Sequence, residues 1–244
     1  MLASYHALRP CFVLDVVDDE LDGYSARMQI EPLQLQLDTK RAEFERTAPK
    51  EKQRIYAEGI AAVEASGVVL HARNVGDRAP DFELTNATGE SVRLSDQLAA
   101  GPVVLTWYRG GWCPYCNITL RALQGSLAAI RETGARLIAL TPELPDRSLS
   151  TAEKHALSFH VLSDLGNHVA REYGIVFALT AEVAAIYQAS FGLHEFNGDQ
   201  SNELPLAATY VIDPSGVIRW AFLDAEYRNR AEPAKIVEVL KTLG

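Results

Sequence analysis

Two cysteines three residues apart, Cys113 and Cys116, lie where an apolar stretch of the sequence gives way to a helical pattern. The β-branched run from Val103 to Tyr108 predicts a buried strand, and the Gly110-Gly111 pair after it predicts a tight turn. The residues that follow, as far as about Arg131, have the periodicity of an amphipathic helix. The sequence therefore places two thiols at the turn between a buried strand and the start of a helix.

The chemistry of a thiol depends on how much of it is ionised. A cysteine with the ordinary pKa of about 8.5 is only a few per cent thiolate at neutral pH. A helix N-terminus favours the thiolate, because its unpaired N–H groups and the positive end of its dipole stabilise an anion. Pro114 suits the first turn of such a helix, where no N–H donor is needed. Arg109, at the end of the strand, is expected to add a permanent positive charge.

The use of cysteine narrows the chemistry further. The chain has three cysteines, too few for a disulfide framework, and an isolated C-x-x-C usually indicates redox or metal chemistry. Zinc normally needs four ligands, and the sequence contains neither a second C-x-x-C nor an H-x-x-x-H pair. We therefore favour redox chemistry that needs no metal or organic cofactor. Cys11, which lies among apolar residues, is interpreted as a small buried hydrophobic side chain.

Charge and composition exclude several kinds of partner. The 244 residues carry a net charge of −9 without a basic run, which argues against nucleic acid or an anionic membrane as a partner. A hydrophobic content of 48% is sufficient for one sizeable core. The N-terminus lacks a basic start followed by a long apolar stretch, so we expect neither secretion nor membrane spanning, and a cytoplasmic location.

The first 74 residues are predicted to form an arm and a helical extension. Residues 1–25 show no strong period, and we expect a loosely attached arm there. Residues 31–46 and 49–66 each carry a stripe of apolar side chains at helical spacing, which predicts two helices. We expect this helical pair to pack on the core or on another subunit, so a homo-oligomer remains an alternative.

From residue 75 onwards short apolar strands alternate with helical segments, and residues 75–244 are predicted to form one domain. Such alternation is typical of a mostly parallel sheet with helices on both faces. The stretch from Tyr210 to Phe222 contains a Pro-Ser-Gly turn begun by Asp213, and it predicts an antiparallel hairpin at the end of the sheet. The other predicted elements are two short strands before residue 95 and a short helix from there, strands at 135–140 and 161–164, and helices at 148–157, 167–173, 181–189 and 232–243.

Several of these segments together are similar to one known family. The stretch from Trp107 to Cys116, preceded by Val75 to Phe82, resembles the thioredoxin-fold peroxiredoxins of the alkyl hydroperoxide reductase and thiol-specific antioxidant family, and more narrowly those with a C-x-x-C. The resemblance spans residue 75 to the C-terminus and implies a thioredoxin-like, peroxiredoxin-type mixed sheet flanked by helices, with an N-terminal helical extension. Further matching segments are Leu137–Pro142, Phe159–Asn167, Glu172–Ile175 and Tyr210–Gly216.

The family motif P-x-x-x-T-x-x-C falls on Arg109, Cys113 and Cys116. The resemblance thus gives Cys116 the place of the peroxidatic nucleophile, with Cys113 in place of the threonine that hydrogen-bonds the peroxide. In thioredoxin-like reductants the first cysteine of the same pair attacks. Cys113 is therefore the nucleophile by one analogy and Cys116 by the other.

A second departure from the family lies before the final hairpin. Peroxiredoxins commonly place an arginine, and thioredoxins a cis-proline, at the position that is Ala207 in this chain. The arginine lowers the pKa of the thiol and polarises the peroxide bond. Arg109, beside the thiols, and Arg121, on the following helix, are the candidates to replace it, and we favour Arg109. Pro205 is expected to supply a turn.

The surroundings of the two thiols are also predicted. Trp112 and Tyr115 flank the cysteines, and each is expected to pack as part of an apolar wall or docking surface rather than to react. The segment 177–205 intervenes before the final hairpin. We expect it either to overhang the active site or to serve oligomerisation.

The resemblance implies a thiol peroxidase acting on hydrogen peroxide and organic hydroperoxides, with Cys116, Cys113 and Arg109 as its catalytic residues. A thiolate becomes a sulfenic acid, the neighbouring thiol condenses with it to a disulfide, and thioredoxin or another dithiol reduces that disulfide. The alternative is a thioredoxin-like thiol-disulfide oxidoreductase, which would use the same pair on disulfides. A module that binds copper or zinc through the two thiols is a third interpretation.

Overall fold

The computed structural model describes residues 31–86 and 88–243, so Cys11 and the predicted arm lie outside the described residues. The helices are α1 (Leu33–Thr47), α2 (Lys50–Ala65), α3 (Val68–His71), α4 (Leu94–Leu98), α5 (Pro114–Gly125), α6 (Leu127–Glu132), α7 (Pro145–Lys154), α8 (His168–Glu172), α9 (Ala181–Phe191), α10 (Leu193–Asn197) and α11 (Pro233–Lys241). The strands are β1 (Glu83–Thr85), β2 (Ser91–Arg93), β3 (Val103–Trp107), β4 (Arg136–Thr141), β5 (His160–Ser163), β6 (Val176–Ala178), β7 (Glu203–Pro205), β8 (Thr209–Ile212) and β9 (Ile218–Phe222). Within these ranges no helix has the length and apolar character needed to cross a membrane.

A five-stranded sheet in the order β5-β4-β3-β8-β9 forms the centre of the fold. Strand β3 is parallel to β4 and antiparallel to β8, so that Leu105 lies opposite Ile138 on one side and Tyr210 on the other. Strands β8 and β9 form the predicted antiparallel hairpin. The expectation of a mostly parallel sheet is wrong, because the chain reverses direction between β5 and β8 and re-enters the sheet antiparallel to β3. The mixed thioredoxin-like sheet that the resemblance implies is confirmed.

Strand β3 is buried along its whole length because helices cover both faces of the sheet. Leu105 and Trp107 point into one apolar cluster, together with Tyr173 and Tyr210. Val104, the residue before Leu105, points into a second cluster on the opposite face. Alternating residues of a strand face opposite sides, so a strand covered on both sides is apolar at nearly every position. The burial continues past the end of β3, through Tyr108 and Arg109, into the turn that carries the thiols.

Most of the predicted elements are present, and the exceptions are as follows. The helix predicted to run to Arg131 is interrupted at Ser126, where the backbone leaves helical geometry between α5 and α6. Helix α7 begins at Pro145, three residues before its predicted start, because proline suits the first turn of a helix. The ribbon of β6 and β7 and the short helices α3 and α10 were not predicted, and Pro205 belongs to β7 rather than to a turn.

The helical extension packs on the core, which is one of the two predicted arrangements, the other being packing on another subunit. Leu33 and Leu37 of α1 are almost completely buried, in the same apolar cluster as Cys113 and Cys116. The first turn of α1 is also tied to the far end of the chain, because the Glu232 carboxylate accepts hydrogen bonds from the backbone N–H groups of residues 33 and 34. The extension is therefore part of the wall around the thiols, whereas a domain boundary at residue 75 stays a prediction.

We predict that Leu37→Ala lowers the free energy of unfolding by about 2–5 kcal/mol, because it leaves a cavity in a closely packed cluster. Leu37 has 1% of its surface exposed, whereas Leu35 on the same helix has 52% exposed. Leu35→Ala is the matched control, and we expect a change within about 0.5 kcal/mol. Urea unfolding of both variants measures the difference. Equal losses would show that α1 does not pack against the core in solution.

Candidate active site

The two cysteines lie at the junction between β3 and α5. Cys113 is the N-cap residue of α5, Pro114 occupies the first helical position, and Cys116 lies in the first turn. The turn before them requires glycine at position 110, which has φ +147°. A Cβ atom there would approach the indole nitrogen of Trp112 to 2.2 Å. The predicted sequence of strand, glycine turn and helix thus places both thiols at a helix N-terminus.

Three groups converge on the sulfur of Cys116, which is fully buried. The backbone N–H of Arg109 donates a hydrogen bond to it over 3.4 Å. The Nη2 group of Arg230, from the loop before α11, donates another over 3.4 Å. The thiol of Cys113 is the third group, and its proximity favours a negative charge on the Cys116 sulfur. A sulfur atom that accepts two hydrogen bonds, one of them from a guanidinium group, is suited to carry a negative charge.

The two thiols consequently have very different acidities. Burial opposes ionisation of Cys116, but the Cys113 thiol, the Arg230 and Arg109 charges and the Arg109 N–H together hold the pKa of Cys116 well below its ordinary value. Burial raises the pKa of Cys113 well above its ordinary value, and its hydrogen bond to Cys116 and the negative charge of that sulfur raise it further. The stable form of the pair is therefore a thiolate at Cys116 and a protonated thiol at Cys113.

Arg109 is a buried cation in an aromatic cage rather than a solvated loop charge. Its side chain is 2% exposed. The centre of its guanidinium lies 4.3 Å from the ring centroid of Tyr227, 5.1 Å from that of Trp112 and 5.4 Å from that of Tyr187. The Nη2 group also donates a hydrogen bond of 2.6 Å to the Tyr187 hydroxyl. Because aromatic faces attract a cation without neutralising it, Arg109 keeps its full charge beside the thiols.

Arg230 is the cation that the sequence analysis missed. Ala207, at the position where peroxiredoxins commonly have an arginine, lies buried just before β8. Arg121, one of the two residues proposed to replace that arginine, is exposed on α5 beside His155. Arg230 instead reaches Cys116 from 114 residues away in the chain. No local pattern in the sequence marks it, since it lies in a loop whose course depends on the packing of α11. Its nearness to a sulfur is a product of tertiary structure alone.

Aromatic side chains close the site on the side of the 177–205 segment. Trp112 stacks on Phe191 of α9 with ring centroids 4.3 Å apart, and Tyr115 packs edge-on against Tyr227 at 5.7 Å. The prediction that Trp112 and Tyr115 pack as an apolar wall is confirmed. The 177–205 segment overhangs the active site, because α9 also supplies Tyr187 to Arg109. This is one of its two predicted roles, the other being oligomerisation.

A buried carboxyl group is hydrogen-bonded to the glycine turn. Glu143, just after β4, is completely buried and its Oε1 atom accepts a hydrogen bond of 2.8 Å from the backbone N–H of Gly111. Burial raises the pKa of Glu143 to about 7, although that hydrogen bond acts in the opposite direction. The carboxyl group is therefore about half protonated at neutral pH, which limits its repulsion of the Cys116 thiolate.

Within residues 31–86 and 88–243, no three histidine, cysteine, aspartate or glutamate side chains are placed to share a metal ion.

Asp213, which the sequence predicts to begin a turn, accepts hydrogen bonds from the backbone N–H groups of Ser215 and Val217 and lies in that turn.

The chain matches a known protein family. A family model described as the AhpC/TSA family matches residues 75–221. The chain belongs to the AhpC/TSA family. This membership confirms the resemblance predicted from sequence, and with it a peroxiredoxin-like protein that functions as a thiol peroxidase.

Individual relatives in plants agree with this assignment. The chain is 28% identical over 180 residues to a chloroplastic peroxiredoxin Q from Triticum aestivum, which covers 73% of this chain and 70% of the relative. It is 27% identical over 189 residues to the chloroplastic peroxiredoxin Q from Arabidopsis thaliana, covering 77% and 75%. These relatives are chloroplastic, and a cytoplasmic location for this chain stays a prediction.

Solved structures show the same fold at lower sequence identity. Peroxidoxin BcpB from Mycobacterium tuberculosis has a TM-score of 0.56 at 22% identity, over 70% of this chain and 98% of that one. Peroxiredoxin Q from Xanthomonas campestris has a TM-score of 0.52 at 14% identity, over 66% and 90%. About a third of this chain is not covered in either comparison, which is enough to contain the helical extension.

We predict that Arg230→Met raises the pKa of the Cys116 thiol, because it removes a cation and a hydrogen-bond donor from the sulfur. The rate of oxidation by hydrogen peroxide at neutral pH should fall at least about tenfold, as for the loss of one donor to a reacting anion. Thiolate absorbance in the ultraviolet as a function of pH measures the pKa directly.

The matched control is Arg121→Met, which removes an exposed arginine from α5. We expect neither the thiolate titration nor the oxidation rate to change, because Arg121 does not contact either sulfur. If the two variants behave alike, the contact between Arg230 and Cys116 has no functional role.

Proposed function

We propose that Cys116 is the nucleophile of this thiol peroxidase and that Cys113 is the thiol that resolves the oxidised form. The observation that supports this proposal is the convergence of the Arg230 guanidinium, the Arg109 N–H and the Cys113 thiol on the one sulfur of Cys116. The nucleophile in thiol chemistry is the thiolate, and Cys116 is the cysteine of the pair that is held ionised. The sequence leaves the choice between the two cysteines open, and this proposal favours the second.

The reaction follows from these protonation states. The Cys116 thiolate attacks one oxygen of the hydroperoxide, a sulfur–oxygen bond forms, and the oxygen–oxygen bond breaks. Cys116 becomes a sulfenic acid, and the other oxygen leaves as hydroxide or alkoxide, which takes a proton to become water or an alcohol. Arg109 and Arg230 are permanently charged, so they stabilise the negative charge while it moves from sulfur to the leaving oxygen.

The second half of the cycle uses the protonated thiol. The Cys113 sulfur attacks the sulfenic acid sulfur of Cys116, a disulfide forms, and one molecule of water leaves. The two cysteines belong to the same turn at the start of α5, so no distant residue has to approach. Thioredoxin or another dithiol then reduces the disulfide by thiol exchange and is itself oxidised to a disulfide. The cycle requires no metal or organic cofactor.

The alternative, a thiol-disulfide oxidoreductase, is favoured by Cys113 in place of threonine. The burial of the pair is an argument against it. Cys113 is 1% exposed and Cys116 is 0% exposed. A hydroperoxide group is small enough to reach a buried thiolate, whereas exchange with a protein requires the two sulfur atoms to come into line and contact. The alternative therefore requires the site to open in both half-reactions, and the peroxidase requires it only when thioredoxin reduces the disulfide. Insulin reduction in the presence of a simple dithiol, at a rate far above that of peroxide reduction, would favour the alternative.

We expect Cys116→Ser to abolish the reduction of hydrogen peroxide and to form no sulfenic acid. Cys113→Ser should consume one equivalent of peroxide and then stop at a sulfenic acid on Cys116, because the resolving thiol is missing. Trapping with dimedone, followed by mass spectrometry of the labelled peptide, identifies the oxidised residue. A sulfenic acid on Cys113 in the Cys116→Ser protein would assign the attack to Cys113 instead.

A further inference from the structure

The backbone of Gly111, in the turn between β3 and α5, is hydrogen-bonded by side chains from two other parts of the fold. Its N–H group donates a hydrogen bond of 2.8 Å to the Oε1 atom of Glu143, just after β4. Its C=O group accepts a hydrogen bond of 2.8 Å from the Nδ2 atom of Asn117 in α5. Helix α7 packs against the same point, because a Cβ atom at position 111 would approach the Thr151 hydroxyl oxygen to 2.2 Å. The middle of the turn is thus held from three directions.

The bond to Glu143 connects the ends of β3 and β4 beyond the sheet. Just after β3, the backbone N–H of Tyr108 donates a hydrogen bond of 2.9 Å to the C=O of Leu140 in β4. The bond between Gly111 and Glu143 joins positions that lie three residues further along each chain. A side chain therefore holds the turn to the end of β4 at a point where the backbone has left the sheet.

This turn carries a hydrogen-bond donor to the reacting sulfur. The backbone N–H of Arg109 donates to Cys116 over 3.4 Å. The N–H of Cys113 donates to the C=O of Gly110 over 3.0 Å and closes the turn. Gly111 lies between Arg109 and Cys113, so its orientation affects the direction of the Arg109 N–H. Because a hydrogen bond weakens steeply as its angle departs from linear, a small rotation of the turn would weaken the bond to the sulfur.

Glu143 is a buried titratable group that the proposed reaction cycle does not use. It is completely buried, where a carboxyl group is costly unless it is hydrogen-bonded. After burial, the charge of Cys116 is a further cause of the raised pKa of Glu143, so a carboxylate there and the thiolate repel each other. A neutral amide could accept the Gly111 N–H without that repulsion. The useful part of Glu143 is therefore its acceptor oxygen rather than its charge.

We propose that Glu143 and Asn117 are positioning residues for Cys116, which hold the backbone of Gly111 so that the Arg109 N–H points at the sulfur. The proposal rests on the proposed role of Cys116 as the nucleophile and adds two residues that act on it through the turn. Neither side chain is hydrogen-bonded to the sulfur in the described part of the chain. Removing either bond to Gly111 should nevertheless weaken a donor to the thiolate.

The experiment titrates the thiolate absorbance of Cys116 in the unmodified chain, in Glu143→Ala and in Glu143→Gln. In Glu143→Ala the acceptor is lost, and we expect the acid dissociation constant of Cys116 to fall at least about threefold. Losing one hydrogen bond to a charged group costs about tenfold, and removing the repulsion of the carboxylate recovers part of that loss. Glu143→Gln keeps an acceptor for Gly111 and removes only the charge, so the constant should stay as it is or rise.

Asn117→Ala removes the other bond to Gly111 and should also lower the constant, which tests the proposal if Glu143→Ala does not fold. The matched control is Asp213→Ala. The Asp213 carboxylate also accepts backbone N–H groups in a turn, but that turn lies beside the start of β3, whereas the cysteines follow its end. Urea unfolding should show a loss of stability in the control, while its thiolate titration stays unchanged.

The proposal is overturned if Glu143→Ala leaves the constant unchanged or raises it, since Glu143 would then act on Cys116 through its charge or not at all. A fall of equal size in Asp213→Ala would also overturn it, because the effect would follow from lost stability alone. If the Cys116 thiol of the unmodified chain titrates near the ordinary pKa of about 8.5, the thiolate on which the proposed function depends is missing as well. The two failures are therefore distinguishable.

Discussion

A buried sulfur anion needs compensating charge, and the active site is arranged to supply it. Taking an ion out of water costs several kcal/mol even after the protein has relaxed, so an isolated Cys116 thiolate would protonate. Two guanidinium groups and two hydrogen-bond donors prevent this. Among the described residues, neither Arg109 nor Arg230 forms an ion pair with a carboxylate, so both charges remain available to the sulfur.

The helices and loops around the central sheet enclose the thiols and hold the charged groups beside them. Helix α1 and the loop that carries Arg230 enclose the thiols on one side, and the Glu232 carboxylate links them by capping α1. Helix α9 encloses the other side and holds the Arg109 guanidinium through Tyr187. Exclusion of water lowers the local dielectric constant and strengthens each interaction with the sulfur.

The fold could be predicted from sequence where its signals are local. The strand and glycine turn before Cys113, the two helices of the extension and the hairpin around Asp213 each depend on a short pattern of apolar and turn-forming residues. The orientation of β8 could not be predicted in this way, because it depends on how the long segment after β5 folds back. The break at Ser126 was also missed, since the apolar periodicity continues across it.

The active site could be predicted only in part, for the same reason. Cys113, Cys116 and Arg109 are close in sequence, so a motif contains all three. Arg230 and Tyr187 come from 114 and 78 residues away from their partners, and nothing near either residue marks its role. The assignment of different roles to the two thiols needed these distant residues, because the helix N-terminus acts on both cysteines alike. A motif thus identified the pair, and tertiary contacts distinguished its members.

The most direct test of this account is the pH dependence of the first oxidation step. The reduced protein is mixed with hydrogen peroxide in a stopped-flow instrument between about pH 6 and pH 8, and the change in tryptophan fluorescence gives the second-order rate constant. The rate is proportional to the thiolate fraction, so a thiol already ionised at Cys116 predicts a change of less than about twofold across this range. A rate that rises about tenfold for each pH unit would show a thiol of ordinary acidity. It would contradict the central claim that the two arginines hold Cys116 as a thiolate.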